Sequence, residues 1–356
     1  MNARKLIFAL VALSVTVPVE SSRSQGFAGL GSNADGFTVP QQGHVLSFPT
    51  DHGAHPDFRI EWWYVTANLE GDDGKRYGAQ WTLFRSALAP GDSQGFQDPQ
   101  IWIGHAAVTT DRQQYVAERL GRGGVGQAGV VAVPFEAWID DWTMKEAEPT
   151  ASNDLDDLKL AAHGTDFSYS LDLKSTGPLV LQGDRGFSVK SAEGQASYYY
   201  SQPFYQASGT IELAGAKLNV TGKAWLDREW SSQPLASNQT GWDWFSLHLN
   251  TGDKVMAFRL RDDKEGFISA NWISADGHTT PLSKDDLQIQ PVRRANVAGR
   301  NLPVAWRIQV PGKSFDVTTA PLNDQSWMAT STPYWEGPIA FEGSMSGVGY
   351  LEMTGY

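Results

Sequence analysis

The 356-residue sequence contains no cysteine, which excludes disulfides, thiolate metal sites, iron–sulfur clusters and cysteine nucleophiles. It is also poor in cations: 28 Lys and Arg stand against 40 Asp and Glu, a formal net charge of −12. A chain of that sign lacks the positive field that holds phosphate backbones, so nucleic acid is not expected as a partner. No stretch is long and apolar enough to cross a membrane as a helix, which takes about 20 residues. Familiar chemical motifs are missing too. There is no Walker loop, no G-x-S-x-G elbow between a strand and a helix, and no dinucleotide fingerprint in a βαβ setting. Gly121, Gly123, Gly124 and Gly126 are closely spaced, but nothing around them alternates strand with helix, so they read as a loop.

What is present is apolar and aromatic. Hydrophobic residues make up 41% and charged residues only 19%, the balance of a globular chain with ample core. The 14 Trp, 16 Phe and 11 Tyr, with 36 Gly, favour strands over helices. At the amino end, Arg4 and Lys5 precede the apolar run 6–17 (LIFALVALSVTV), which Pro18 and Glu20 close. Twelve residues are too few for a membrane span, so residues 1–24 read as a cleaved secretory signal, and the protein is expected in the periplasm or outside the cell. Cleavage would remove Arg4, Lys5, Arg23 and Glu20 and take the net charge from −12 to −14.

Runs that alternate apolar and polar residues dominate the rest, among them 62–69 (WWYVTANL), 78–84, 167–173, 242–249 (WDWFSLHL) and 255–260. Gly71-Asp72-Asp73-Gly74 and Asn250-Thr251-Gly252-Asp253 read as hairpin turns between them. Helical signals are scarce; 111–120 and 284–287 are the best candidates. The fold class is therefore all-β. Residues 62–77 also align on 242–256, and Gly222-Lys-Ala-Trp225-Leu-Asp227 aligns on Gly347-Val-Gly-Tyr350-Leu-Glu352. Two units from an internal duplication follow: 44–230 and 241–356, with a flexible segment at 25–43 and a polar linker at 231–240. Units of this size and strand content suit small barrels or sandwiches, and a closed barrel leaves a cavity for a ligand.

One constellation carries chemistry. Strand alternation puts Trp225, Asp227 and Glu229 on one face of residues 225–230, and Tyr198 and Tyr200 on one face of the 197–200 strand. Glu61, Trp62, Trp63 and Tyr64, together with Trp242, Asp243 and Trp244, complete the set. A carboxyl among rings loses solvation, which raises its pKa and keeps it protonated near neutrality. It could then protonate a double bond or leaving group, and the ring faces would stabilise the cation. The competing structural reading has Asp227, Arg228 and Glu229 in ion pairs while the tryptophans fill cores. His52 and His55 have a spacing that could suit a metal, but Gly53 and Pro56 break the helix such a pair needs, so a hydrogen-bonded turn is expected. His105 reads as a core histidine on a strand.

Residues 51–64 (DHGAHPDFRIEWWY), the Tyr198–Tyr200 strand, 224–230 (AWLDREW), 241–246 (GWDWFS) and 334–337 (YWEG) resemble the AttH-like group of predicted secreted hydrolases. That group shares a superfamily with the carotenoid 1,2-hydratases (hydroxyneurosporene synthase) and, more remotely, with fungal Diels–Alderases. The resemblance spans about 44–356 and implies tandem lipocalin-like β-barrels. In the hydratases, an aspartate on the strand matching Trp225-x-Asp227 is taken to protonate a terminal alkene, assisted by aromatic and histidine side chains on the strand matching Tyr198-x-Tyr200. This chain keeps Asp227 and an aromatic at 225 but has Tyr198 where the hydratase strand carries His.

Three functions follow as expectations. The first is an acid-catalysed hydratase, lyase or isomerase acting on a lipophilic, unsaturated, isoprenoid-like molecule. Asp227 would be its proton donor, with Tyr198, Trp225 and Glu229 beside it. Tyr200, Trp63, Tyr64, Trp230, Trp242 and Trp244 would hold the substrate, with Glu61, Asp243 and His105 in support. The second is a lipocalin-like carrier of a hydrophobic ligand, and the third an ester or lactone hydrolase using carboxylate-activated water. No cofactor or metal is expected. The partner is a hydrophobic small molecule, with transient contact with membrane lipid.

Overall fold

The structure is a computed structural model that describes residues 28, 30–32, 34–148 and 155–356; the leader expected at 1–24 lies outside the described residues. Two antiparallel sheets account for nearly all regular structure, and the only helices among the described residues are single 3₁₀ turns such as Thr50–His52. The first sheet runs from Ile60–Gly71 to Ala216–Ser231 and the second from Gly241–Leu249 to Gly347–Met353.

Both sheets have the same topology. Within each, strands pair mostly in chain order, and the first strand also pairs with the last. The two free edges are consecutive in the chain: Gln114–Arg122 and Ala128–Ala132 in the first sheet, Thr279–Leu282 and Gln288–Val297 in the second. Each sheet therefore curls into a nearly closed barrel, its seam after the fourth strand of the unit. These are tandem lipocalin-like barrels, as the sequence led one to expect. Hairpins form at the expected turns, with the Gly71 amide bonded to the Lys75 carbonyl and the Leu249 amide to the Asp253 carbonyl, both at 2.9 Å.

Two expectations of helix fail. Residues 111–120 contain a turn and then most of the strand Gln114–Arg122, because pairing with Gln100–Thr109 gives the segment a ladder of partners that an isolated short helix lacks. Residues 284–287 form a turn closed by the Leu287 amide on the Ser283 carbonyl.

Strand alternation sorts the tryptophans. In Ile60–Gly71, Trp63, Val65, Ala67 and Leu69 point into the first barrel, where Trp81, Trp142 and Trp230 also lie. Phe245, Leu247, Trp306 and Trp335 fill the second. A third apolar cluster, with Tyr64, Tyr199, Trp225, Leu235, Trp244, Phe258 and Tyr350, lies between the barrels. Truncating a fully buried ring in such a core costs about 3–5 kcal/mol, so the docking of the barrels is a folded core in its own right. Gly78 lies at the contact: a Cβ there would sit 2.6 Å from both Pro338 Cγ and the Tyr350 hydroxyl. The described part of 25–43, expected to be flexible, packs onto this assembly, with Leu30 buried in the third cluster and the Gln41 amide bonded to the Tyr198 hydroxyl at 2.7 Å.

Candidate active site

The strand Ala216–Ser231 has two faces with different roles. Leu226, Arg228 and Trp230 point into the first barrel, while Trp225, Asp227 and Glu229 point toward the second. Across the ladder, Asp227 lies opposite Tyr64 and Ser201, and Glu229 opposite Trp62 and Tyr199. Side chains directly opposite on paired strands share a face. A cavity of about 250 Å³ opens there, walled by Trp62, Tyr64, Phe84, Tyr199, Trp242 and Trp244, with Asp227, Glu229, His105 and Glu352 in its lining. The site therefore belongs to both barrels.

Asp227 is 2% exposed. Its Oδ1 accepts from the Ser201 hydroxyl at 2.5 Å and from the Trp225 indole at 2.7 Å; its Oδ2 accepts from the Tyr199 hydroxyl at 2.9 Å. Burial pushes the carboxyl up to about 7, against these three donors and with help from the nearby charge of Glu229. Two donors already occupy Oδ1, so an added proton belongs on Oδ2. Arg228, the next residue, points into the first barrel and pairs with Glu61. Glu229 is held differently, by the Ser197 hydroxyl and by Lys190, whose Nζ lies 2.8 Å away and 4.8 Å from the Tyr199 ring centre.

The second barrel supplies the opposite wall. Trp242 donates its indole N–H to Glu352, and Tyr64 donates its hydroxyl to Glu336, the register partner of Glu352. Burial pushes Glu352 up to about 7, and burial together with the charge of Glu352 raises Glu336 well above the usual carboxyl range. His105 bridges the Tyr334 hydroxyl at 3.0 Å and Glu118 at 3.1 Å. That bond to His105 helps hold the Glu118 carboxyl down at about 2.

Several expected site residues lie elsewhere. Tyr198 and Tyr200 face the first barrel, not Asp227, because they oppose Trp230 and Arg228 on the ladder. Tyr200 bonds His52 Nδ1 at 2.6 Å, and Tyr198 meets the Gln41 backbone. Trp63 and Trp230 flank the Arg228 guanidinium, at 3.8 and 4.8 Å from the ring centres. Glu61 sits between Arg85, Arg228 and His55 in the same interior. Asp243 is turned into the second barrel, held by Arg259 at 2.9 Å, Arg261 at 2.6 Å and the Tyr356 hydroxyl at 2.7 Å. These residues neighbour pocket residues in sequence, and neighbours on a strand point to opposite faces. Glu229, Tyr64, Trp242, Trp244 and His105 do line Asp227's cavity, and Trp225 holds Asp227 through its indole N–H. Tyr199, Lys190, Tyr334 and Glu352 line it as well, and Ser201, Ser197, Glu118 and Glu336 bond to lining residues, none of them expected as site residues.

His52 and His55 belong to the hydrogen-bonded network around Tyr200 and Glu61. The string Gly91-Asp92-Ser93-Gln94-Gly95 spells the hydrolase nucleophile pattern, but it occupies a surface loop with one 3₁₀ turn behind it, far from an elbow in form.

The sequence profile of the AttH-like family matches residues 39–356. The chain belongs to the AttH-like family. Its structure is similar to that of an AttH-type protein, NE1406, from Nitrosomonas europaea, with 35% identity over 90% of this chain and all of the other, at a TM-score of 0.78. Kievitone hydratase from Nectria haematococca shares the fold at 16% identity and a TM-score of 0.68, covering 89% of this chain and 95% of its own. CghA matches at 13% identity and a TM-score of 0.50, over 83% of this chain and 88% of its own. None of the curated proteins matches the chain. This AttH-like chain thus shares with those proteins a two-barrel frame, within which its own carboxyls and rings define the site.

Proposed function

We propose that this AttH-like protein is a hydratase-type enzyme that adds water to the alkene of a lipophilic, isoprenoid-like molecule bound between the barrels. One observation carries the reading: Asp227, in a ring-walled cavity, has an Oδ1 occupied by two donors and a carboxyl poised at about 7. The alkene π pair takes the proton from Oδ2, a C–H bond forms, and positive charge develops on the more substituted carbon. The indole and phenol faces of Trp62, Tyr64, Trp242 and Trp244 stabilise that charge. Water then adds through oxygen and gives up one proton. The hydratase named among the structural neighbours supports this choice over ester hydrolysis by carboxylate-activated water.

The test is incubation with prenylated phenols and acyclic isoprenoid alcohols in heavy water enriched in oxygen-18. Wild-type protein adds one deuterium at carbon and one labelled hydroxyl, and Asp227→Asn does neither. A second reading, a carrier, draws on the apolar lining of the same cavity. Native mass spectrometry showing an unaltered lipid held equally by wild type and Asp227→Asn, with no turnover, would establish it instead. The apolar run 6–17 behind Arg4 and Lys5 supports export. Fractionation of the native host, with the amino terminus of the mature chain sequenced, checks that proposal.

A further inference from the structure

The internal repeat places a second carboxyl where the first would be if the barrels were exchanged. Gly347-Val-Gly-Tyr350-Leu-Glu352 aligns with Gly222-Lys-Ala-Trp225-Leu-Asp227, so Glu352 is the repeat counterpart of Asp227. The structure keeps that correspondence. Each residue lies on the last strand of its sheet and pairs with the first: Asp227 opposes Tyr64, and Glu352 opposes Trp244. Tyr64 and Trp244 are themselves aligned in the repeat, and their rings meet edge to face at 5.3 Å. Bonds between the barrels are reciprocal as well. Tyr64 donates to Glu336 beside Glu352, and Trp244 donates at 3.3 Å to Tyr199, which holds Asp227.

We infer that Glu352 is a second catalytic residue, the base that takes the proton from the attacking water while Asp227 serves as the acid. The inference rests on the hydratase reading above. Competing bases in the cavity are already committed. Glu229 is neutralised by Lys190 at 2.8 Å, and both ring nitrogens of His105 are engaged, by Tyr334 and by Glu118. Glu336 and Glu352 are opposite each other on adjacent strands, and two carboxyls so placed do not both ionise readily. Glu336 is tied to the Tyr64 hydroxyl and lies outside the cavity lining, whereas Glu352 lines the cavity and is the one that can meet the attacking water. The cycle balances. Asp227 loses a proton to carbon, Glu352 gains one from water, and transfer from Glu352 to Asp227 through solvent restores both.

The experiment uses full-length protein with an ortho-prenylated phenol in heavy water enriched in oxygen-18. Glu352→Gln keeps an oxygen for the Trp242 indole and so preserves the wall. It is expected to retain deuterium exchange into recovered alkene, because Asp227 still protonates it, but to lose hydration about 100-fold. Asp227→Asn loses both. Hydration by Glu352→Gln within about threefold of wild type, or equal loss of exchange and hydration, overturns the inference alone. Inert wild-type protein overturns the hydratase reading and this inference with it.

A second measurement reads the coupling directly, by infrared titration of the carboxyl band that Glu352→Gln removes. The groups facing Glu352 are Glu336 on the neighbouring strand, the Trp242 indole, and Asp227 and Glu229 across the gap. Removing the charge of Asp227 with Asp227→Asn lowers the Glu352 midpoint; a midpoint that stays put overturns the pairing.

Discussion

The Trp244 indole N–H donates to the Tyr199 hydroxyl at 3.3 Å, and Tyr199 in turn donates to Asp227. A residue of the second barrel thus fixes the phenol that holds the acid of the first. Neither barrel on its own contains the whole arrangement.

Tyr199 and its neighbour Tyr200 should separate cleanly on mutation. The Tyr199 hydroxyl stabilises the ionised form of Asp227, so Tyr199→Phe raises the pKa of that acid. The high-pH limb of the rate profile moves upward, and the rate itself falls by about tenfold. Tyr200→Phe instead removes the buried 2.6 Å hydrogen bond between the Tyr200 hydroxyl and His52 Nδ1. It costs about 1–3 kcal/mol of stability and leaves the profile in place. Rate–pH curves and denaturant midpoints on the two variants check both outcomes.

Stability should fall as pH rises from about 4 to about 7. The folded-state pKa of Asp227 is raised to about 7 from the ordinary 3.8, so the folded protein binds the extra proton in that window. The stabilisation is full below the ordinary value and is lost as pH climbs through the raised one. Three units correspond to something on the order of 4 kcal/mol. Glu352 acts in the same direction over the same range. Melting temperatures of wild type should therefore drop between pH 5 and 8 at matched salt, and Asp227→Asn should flatten the drop. Glu118 behaves oppositely. Its depressed carboxyl stabilises above the ordinary carboxyl range, and the benefit is lost as pH falls toward about 2.

The buried charges inside the first barrel should matter to folding alone. Glu61 is fully enclosed and compensates both Arg85 and Arg228. Glu61→Ala strands two guanidinium groups, at a cost of about 3–5 kcal/mol. Chemical denaturation measures the loss, and the rate–pH profile of the folded fraction should match wild type.

Gly78 allows the barrels to meet. A side chain at that position would collide with Pro338 and Tyr350, both in the second sheet. Gly78→Val should push the barrels apart, weaken binding of an apolar fluorophore in the cavity by about tenfold, and leave the β-rich circular dichroism spectrum unchanged.

Sequence alone carried the architecture far and the site halfway. Strand patterns, hairpin turns and the aligned Trp62 and Trp242 segments foretold two β units, because a period of two and turn chemistry are local properties; that the units are barrels was implied by the family resemblance. The shared face of Trp225, Asp227 and Glu229 was legible for the same reason. Register between strands was not, since it depends on packing that a single strand does not encode. Tyr198 and Tyr200 were therefore favoured over Tyr199, which actually reaches Asp227. Glu352 was within sight: the repeat that aligned Tyr350-Leu-Glu352 with Trp225-Leu-Asp227 already marked it. Glu118 and Lys190 gave no such signal, because their roles arise only when distant strands and loops meet.

Over residues 225–230, odd-numbered positions face the cavity side and even-numbered ones fill the first barrel. Deleting a single residue upstream of Trp225 would swing the carboxylates inward and drive the Arg228 guanidinium into the space meant for an oily guest. Chain length here is thus held to the residue, and natural variants should lengthen or shorten at the hairpin tips while leaving this ribbon's count untouched.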